Sequence, residues 1–176
     1  SKDELKLMQR AADISVAAHE AVMRATRAGV PEYVLQAELE YVFRRHEAVP
    51  AYGSIVGAGV NACVLHYIAN NAVAQDGELV LVDAGAEYRS YAADITRTFP
   101  VSGRFSKEQR ALHDLVGAAQ AAALEQARPG VPYEAGHHAA VETLTEGLLR
   151  LGLLKGTLEQ NIRDGHYKRF YRHKTG

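Results

Sequence analysis

Two aspartates in neighbouring apolar runs constrain this chain more than any other feature of its sequence. The stretch LVLVDAGAEYRSYAADITRTF covers residues 79–99 and carries Asp83 and Asp94 on either side of the polar tip EYRSY. An antiparallel hairpin that turns at Tyr88 and Arg89 would place the two aspartates directly opposite each other. Opposite residues have Cβ atoms only about 4.5 to 5.5 Å apart, and like charges there are destabilising. A shared proton, a nearby arginine or a bound cation must therefore offset the repulsion.

The alternation of residues along both runs predicts an enclosed site. The two aspartates fall on one strand face together with two leucines and two threonines, namely Leu79, Leu81, Thr96 and Thr98. The opposite face is apolar as well, with Val80, Val82 and Ile95. A hairpin covered on both faces belongs inside a sheet, where an unpaired charge is costly.

The alternative is an exposed hairpin with ordinary surface aspartates. Arg89 or Arg97 would then be the partner of a carboxylate. The spacing alone leaves open a metal site, acid–base chemistry and this surface arrangement.

Length and composition exclude several classes of protein. The chain has 176 residues and a net charge of -1, so its overall charge favours neither a nucleic acid nor a membrane surface as a partner, and we expect neither. Cys63 is the only cysteine, so the chain has no internal disulfide and no cysteine-rich zinc site. No apolar run is long enough for a membrane span, and no signal-peptide pattern opens the sequence. We therefore expect a cytoplasmic protein.

The order of helical and strand-like patterns predicts an α+β fold. A capping box at Ser1 and Glu4 begins a long amphipathic helix, which ends at Gly29, and a second helix follows from Pro31. Strand-like runs come next, and two more helices lie at residues 106–127 and 133–151. The first helix is expected to bury a stripe of Leu5, Met8, Ala12, Ile14, Ala18 and Val22. Helices that flank a block of strands are typical of α+β proteins.

The histidines are individually weak signals. His66 lies in VLHYIANN, after a glycine-interrupted strand-like run, and a lone histidine there is more often structural than catalytic. His19 and His46, on the first two helices, are expected to be surface residues. The tail NIRDGHYKRFYRHKTG is basic with interleaved aromatic residues, but a solvated loop explains it better than binding to nucleic acid.

The motifs together resemble a known peptidase family. VDAGAEYRSYAADITRTFPVSGRFSKEQRALHDLV is similar to the metal-binding hairpin and following helix of the Xaa-Pro aminopeptidases, and GSIVGAGVNACVLHY is similar to the strands that precede them. These enzymes belong to the metallopeptidases of the pita-bread fold, with prolidase and methionine aminopeptidase. The resemblance covers essentially all 176 residues. It implies the N-terminal half of a pita-bread domain, an antiparallel sheet with covering helices.

The resemblance also implies roles for four residues. Asp83 would be a bidentate ligand of one metal ion and Asp94 would bridge two divalent ions, usually Mn²⁺, which activate a water molecule. His66 would be the substrate-side histidine near the scissile peptide. His173 would line the substrate pocket. The substrates would be peptides with proline at the second position, and the family pattern allows a homo-oligomer of the full-length protein.

One departure from the family pattern is large. The remaining ligands, one histidine and two glutamates, would be expected after Gly176, so residues 1–176 are interpreted as a partial catalytic domain that lacks an N-terminal domain and the C-terminal half. Such a chain would be an inactive fragment. Two alternatives stay open: a prolidase that acts on Xaa-Pro dipeptides, and a non-catalytic interaction protein that retains half of the fold.

Overall fold

The computed structural model describes residues 1–172, which form two compact units, Ser1–Ser106 and the residues from Lys107 onward. The first unit opens with α1 (Lys2–Ala25) and α2 (Glu32–Arg45). The predicted capping box is confirmed, because the Ser1 side chain accepts from the Glu4 amide and the Glu4 side chain reaches back to the Ser1 backbone. Gly29, with a φ of 88°, lies in the left-handed region between the two helices, where a glycine costs little.

Six short strands follow the two helices. They are β1 (Val49–Pro50), β2 (Ile55–Ala58), β3 (Leu79–Ala84), β4 (Ala86–Tyr88), β5 (Tyr91–Ala92) and β6 (Ile95–Pro100), with a 3₁₀ helix at Gly59–Cys63 after β2. All pairings between these strands are antiparallel, in the orders β1-β4-β5 and β2-β3-β6. The predicted α+β class with an antiparallel sheet is confirmed.

The predicted register of the central hairpin is wrong. Asp83 pairs with Thr96 and not with Asp94, and the turn lies at Arg89 and Ser90. Both turn residues have positive φ, 50° and 69°, the conformation of a two-residue turn whose twist matches the flanking strands. The pair Tyr88 and Tyr91 closes this turn. Compared with the predicted hairpin, Asp83 therefore pairs with a residue two positions further along the second strand.

The core of the first unit lies between the two helices and one face of the strands. Phe43, Leu35 and Leu39 of α2 are fully buried there. They pack with Ile14, Ala18 and Val22 of α1 and with a strand face made of Val80, Val82, Ala84 and Ala86. Each such large apolar side chain contributes about 1.5 to 3 kcal/mol on burial. The apolar strand face was predicted correctly.

The buried stripe of α1 differs from the prediction at its N-terminal end. Leu5 and Met8 are 64% and 50% exposed, and the buried face instead includes the polar residues Ser15 and His19. The prediction that His19 lies on the surface is therefore wrong. His46 lies at the C-cap of α2, where its Nδ1 is 3.2 Å from an Arg10 guanidinium nitrogen.

The second unit is helical. It contains α3 (Lys107–Leu124), α4 (Glu134–Arg150), the short α5 (Leu158–Arg163) and a 3₁₀ helix at His166–Arg169. Leu115, Leu148 and Leu154 form its own small core. Among residues 1–172, no helix combines the length and the apolar character that crossing a bilayer requires.

Candidate active site

The two aspartates of the central hairpin converge on one tyrosine hydroxyl. The Tyr52 hydroxyl oxygen lies 2.7 Å from Oδ1 of Asp83 and 2.8 Å from Oδ1 of Asp94. Tyr52 was not among the site residues predicted from the sequence. Its position follows from the pairing of several strands, and no local pattern around it carries that information.

A single hydroxyl leaves this arrangement electrostatically incomplete. A phenol hydroxyl has one proton, so Tyr52 donates to only one of the two carboxylates at a time. The Oδ1 atom of the other aspartate then faces the lone pairs of the hydroxyl oxygen. Burial of Tyr52 and its hydrogen bonds to Asp83 and Asp94 raise the pKa of the phenol well above its ordinary value, so it stays protonated. The site therefore holds two carboxylates and one shared donor, an arrangement that would attract a cation.

Tyr52 reaches the aspartates because the chain around it changes its pairing partner, from β4 to β3, near Gly85. Strand β1 pairs with β4, and one residue further the Ala51 amide donates to the Gly85 carbonyl oxygen at 2.9 Å. The chain then crosses to β2, where Ile55 is paired with Asp83. Tyr52 lies within this crossing, beside the point at which β3 ends.

Gly85 permits a close approach of two strands. A Cβ atom built on Gly85 would lie 1.6 Å from the carbonyl oxygen of Ala93, a distance that no side chain can occupy. The residue that follows Ala93 is Asp94, which lies between β5 and β6. The close contact at Ala93 therefore fixes the backbone position of Asp94. Gly85 is therefore a steric requirement for bringing Asp94 to Tyr52.

Helix α1 holds the backbone on both sides of Gly85. The buried hydroxyl of Ser15 accepts from the Ala86 amide at 2.8 Å and donates to the Ala11 carbonyl oxygen. The His19 ring lies with Nε2 3.1 Å from the Ala84 carbonyl oxygen. Because these two side chains are buried and hydrogen-bonded to strand backbone, they fix the strand at the break in pairing.

The bond to Ala84 also fixes the tautomer of His19. Since a carbonyl oxygen only accepts, the proton of the neutral ring must be on Nε2. The other ring nitrogen, Nδ1, is buried as well. Burial is the main cause that lowers the pKa of His19, and the positive charge of Arg97 lowers it further. The hydrogen bonds to the Ala84 and Ile95 backbone and the negative charge of Asp83 raise the pKa but do not offset the burial. His19 therefore binds a proton less readily in the folded protein than in the unfolded chain.

This buried histidine predicts a loss of stability in mild acid. Unfolding returns His19 to its ordinary pKa of 6.5, so below that pH the unfolded chain binds a proton that the folded chain does not. We expect the free energy of unfolding to fall as the pH drops below 6.5, and the His19→Gln variant to lose less of it over the same range. Urea denaturation between pH 8 and pH 5 measures this difference, with His46→Gln as the control. Parallel pH profiles for wild type and His19→Gln would contradict the prediction.

The carboxylate face is more open than its sequence pattern suggested. Asp83 is half-buried, but Asp94 and Thr96 are exposed in the described part of the chain. The prediction of a mostly enclosed face is therefore wrong for Asp94. The reason is that the core packs against the opposite face of β3, which carries Val80 and Val82.

Comparison with known proteins gives the family. Residues 6–176 match the model of metallopeptidase family M24. The chain belongs to this family. It is 43% identical to a Xaa-Pro aminopeptidase of Haemophilus influenzae, covering 100% of this chain and 41% of that protein.

Solved structures of related proteins share the fold of this M24 chain. Aminopeptidase PepP of Pseudomonas aeruginosa superimposes with a TM-score of 0.97 at 51% identity, over 99% of this chain and 40% of that one. A zinc-substituted aminopeptidase P of Escherichia coli in complex with product gives 0.94 at 41% identity, over 97% and 39%. The expected pita-bread fold is confirmed. The chain spans about two fifths of the length of these relatives.

The structure describes one of the two histidines expected at the M24 site. His66 lies on an exposed turn after the 3₁₀ helix, with a positive φ of 54°. Its role toward a substrate stays a prediction. His173 lies outside the described residues, so its role also stays a prediction.

The donors at the site fit a divalent cation in chemistry but not in number. Asp83 and Asp94 present carboxylate oxygens, which hard divalent ions prefer, and they share a single hydroxyl proton. Within residues 1–172, no group of three or more His, Cys, Asp or Glu side chains is placed to hold a metal. The pair can therefore serve as part of a metal site.

Proposed function

We propose that this chain is part of the catalytic domain of a metal-dependent aminopeptidase that cleaves the bond between an N-terminal residue and a following proline. The observation that carries the proposal is the convergence of Asp83 and Asp94 on the Tyr52 hydroxyl. The relatives that match the chain bear the name Xaa-Pro aminopeptidase, which supports the choice of substrate.

The proposal assigns both aspartates as metal ligands. Asp83 would bind one divalent ion in bidentate fashion and Asp94 would bridge two, with Mn²⁺ as the expected metal. When bound, two such ions lower the pKa of a water molecule and stabilise charge on the scissile carbonyl. Tyr52 would orient the two carboxylates, because its hydroxyl lies within hydrogen-bond distance of Oδ1 of Asp83 and of Oδ1 of Asp94.

The remaining roles concern the substrate. His66 would lie near the scissile peptide and orient it by a ring nitrogen. His173 would line the pocket for the substrate. The exposure of His66 is compatible with contact to a peptide that enters from solvent.

An assay of peptide cleavage tests this proposal. The complete protein that contains this chain should release the first residue from a Xaa-Pro tripeptide in the presence of Mn²⁺, and should not cleave the same peptide with alanine at the second position. Cleavage restricted to Xaa-Pro dipeptides would indicate a prolidase instead. Absence of both turnover and metal uptake would contradict the proposal and favour an interaction protein.

The same assay on the 176-residue segment alone should show no turnover. Two carboxylates provide fewer oxygen ligands than two divalent ions require. Turnover by the segment at the rate of the complete protein would contradict this expectation.

Two further expectations complete the proposal. The protein would act in the cytoplasm, where fractionation should find it. Its family allows a homo-oligomer of the complete protein, which sedimentation would measure.

A further inference from the structure

A buried carboxylate lies in the first unit, outside the pair on Tyr52. Glu32 is the first residue of α2, and its side chain is fully buried, at 0% exposure. A buried carboxylate is strongly destabilising unless it is hydrogen-bonded or paired with a cation. The start of a helix offers a favourable electrostatic potential to a negative charge, but that alone is a small effect. The hydrogen bonds of Glu32 therefore explain how this charge is tolerated.

Four donors saturate the carboxylate of Glu32, two on each oxygen. Oε1 accepts from the Ala58 amide at 2.7 Å and from Nδ2 of Asn61 at 3.1 Å. Oε2 accepts from the Tyr67 hydroxyl at 2.8 Å and from the Ala72 amide at 2.9 Å. Burial raises the pKa of Glu32, but the four hydrogen bonds outweigh it and leave the pKa below the ordinary value. Glu32 is therefore ionised near neutral pH.

All four donors belong to one segment, residues 58–72. The segment leaves the end of β2 and returns to the start of α2, where the Glu32 amide donates to the Ala72 carbonyl oxygen at 2.9 Å. Within the segment, Asn61 also donates to the Tyr67 hydroxyl at 2.9 Å. One side chain thus connects the beginning, the middle and the end of the segment in a single hydrogen-bonded network.

His66 lies in a part of this segment whose apolar side chains are mostly exposed. Its neighbours Val64, Leu65 and Ile68 are 53%, 57% and 89% exposed. Tyr67 is the exception, with 8% exposure. His66 itself has a left-handed φ of 54°, a conformation that costs a residue with a side chain about 1 kcal/mol or more and persists only when its surroundings impose it. Asn61 and Tyr67 bracket His66 and both bind Glu32, so the network holds the segment on either side of His66.

We propose that Glu32 is a positioning residue for His66 and acts through Asn61 and Tyr67. The inference rests on the substrate-side role proposed above for His66. Glu32 touches neither substrate nor metal in this account. It keeps the segment closed, so that the His66 ring is presented in one place before a peptide binds, and loss of this constraint lowers the population of the competent arrangement.

Hydrogen exchange tests the structural half of the proposal without any need for activity. The Glu32→Gln variant of the complete protein replaces one carboxylate oxygen by an NH₂ group, which cannot accept a hydrogen bond. Each oxygen of Glu32 accepts from two donors, so two donors lose their acceptor in either orientation of the glutamine. We expect faster amide exchange at Ala58 and Ala72, which donate to Glu32, and unchanged exchange in α3. Glu38→Gln is the matched control, because Glu38 lies on the same helix and is exposed. Unchanged exchange across residues 58–72 in Glu32→Gln would overturn the proposal.

A double-mutant cycle with His66→Ala tests the functional half. Glu32→Gln should lower kcat/KM for a Xaa-Pro peptide by about tenfold in the wild type but by less than about twofold in the His66→Ala background, because residues in one network are not additive. Equal losses in both backgrounds would show a general structural effect and overturn the inference, while leaving the proposed function intact. If His66→Ala retains full activity, the role of His66 fails and the inference fails with it.

A milder variant keeps the cycle informative if Glu32→Gln does not fold. Tyr67→Phe retains the buried ring and removes only the hydroxyl that bonds Glu32 and Asn61. The same non-additivity with His66→Ala is expected, and equal losses in the two backgrounds would again overturn the inference.

Discussion

We expect the Asp94→Asn variant of the complete protein to lose metal-dependent cleavage of Xaa-Pro peptides by at least about 10³-fold, more than the 10- to 100-fold typical of changes to outer-shell partners. Asparagine keeps the size of the side chain and an oxygen that accepts from Tyr52, at present 2.8 Å away. The variant removes the negative charge and one potential metal-binding oxygen. Steady-state kinetics together with metal content after dialysis measure the result.

Two further variants separate the bridging role of Asp94 from a general loss of charge. Asp76→Asn removes one carboxylate from an exposed turn of the same unit and should leave both activity and metal content unchanged. Tyr52→Phe keeps both carboxylates and removes only the shared donor, so its loss should be smaller than that of Asp94→Asn. Wild-type activity in Asp94→Asn would reject the bridging role.

The helices of this chain could be predicted because their signals are local. The capping box at Ser1 and Glu4 sets the start of α1, and the apolar spacing of Leu35, Leu39 and Phe43 sets the buried face of α2. Each of these signals depends on residues within a few turns of one another. The apolar face of β3 followed in the same way from alternation along a single strand.

The geometry of the site depends on pairings that local patterns do not encode. The hairpin register was wrong because the turn at Arg89 and Ser90 and the interruption at Gly85 both depend on three-dimensional context. No local pattern pointed to Tyr52, because its place beside the aspartates depends on the pairing of β1 with β4, on the bond between Ala51 and Gly85 and on the pairing of β2 with β3.

His19 and Glu32 show a second reason why sequence reasoning fell short. Both are polar residues on helices, for which exposure is the usual expectation. Each is buried because a backbone group or a neighbouring side chain satisfies it: the Ala84 carbonyl oxygen for His19, and four donors from residues 58–72 for Glu32. A buried polar group is recognised only when its partners are known.

The second large effect is expected from Gly85→Ala. The added methyl group would overlap the Ala93 carbonyl oxygen, with an unrelaxed separation of 1.6 Å, and backbone on both sides is fixed by Ser15 and His19 of α1. Because neither strand can move freely, the cost should exceed the about 1 to 3 kcal/mol usual for overpacking. We expect a lower midpoint of thermal unfolding and, in the protein that still folds, the loss of metal binding along with activity.

A joint loss of stability and metal binding would show that Gly85 is needed for lack of space. A glycine needed only for backbone flexibility would not link the two losses. Gly117→Ala is the control, because a Cβ there meets nothing within 4 Å and an alanine inside α3 should be neutral or stabilising by up to about 1 kcal/mol. If the strands separate at Gly85, Asp94 moves away from Tyr52 while Asp83 stays in β3, so metal affinity should fall even at temperatures where the variant is fully folded. A folded Gly85→Ala protein with wild-type metal content would show that the close approach at Ala93 does not place Asp94.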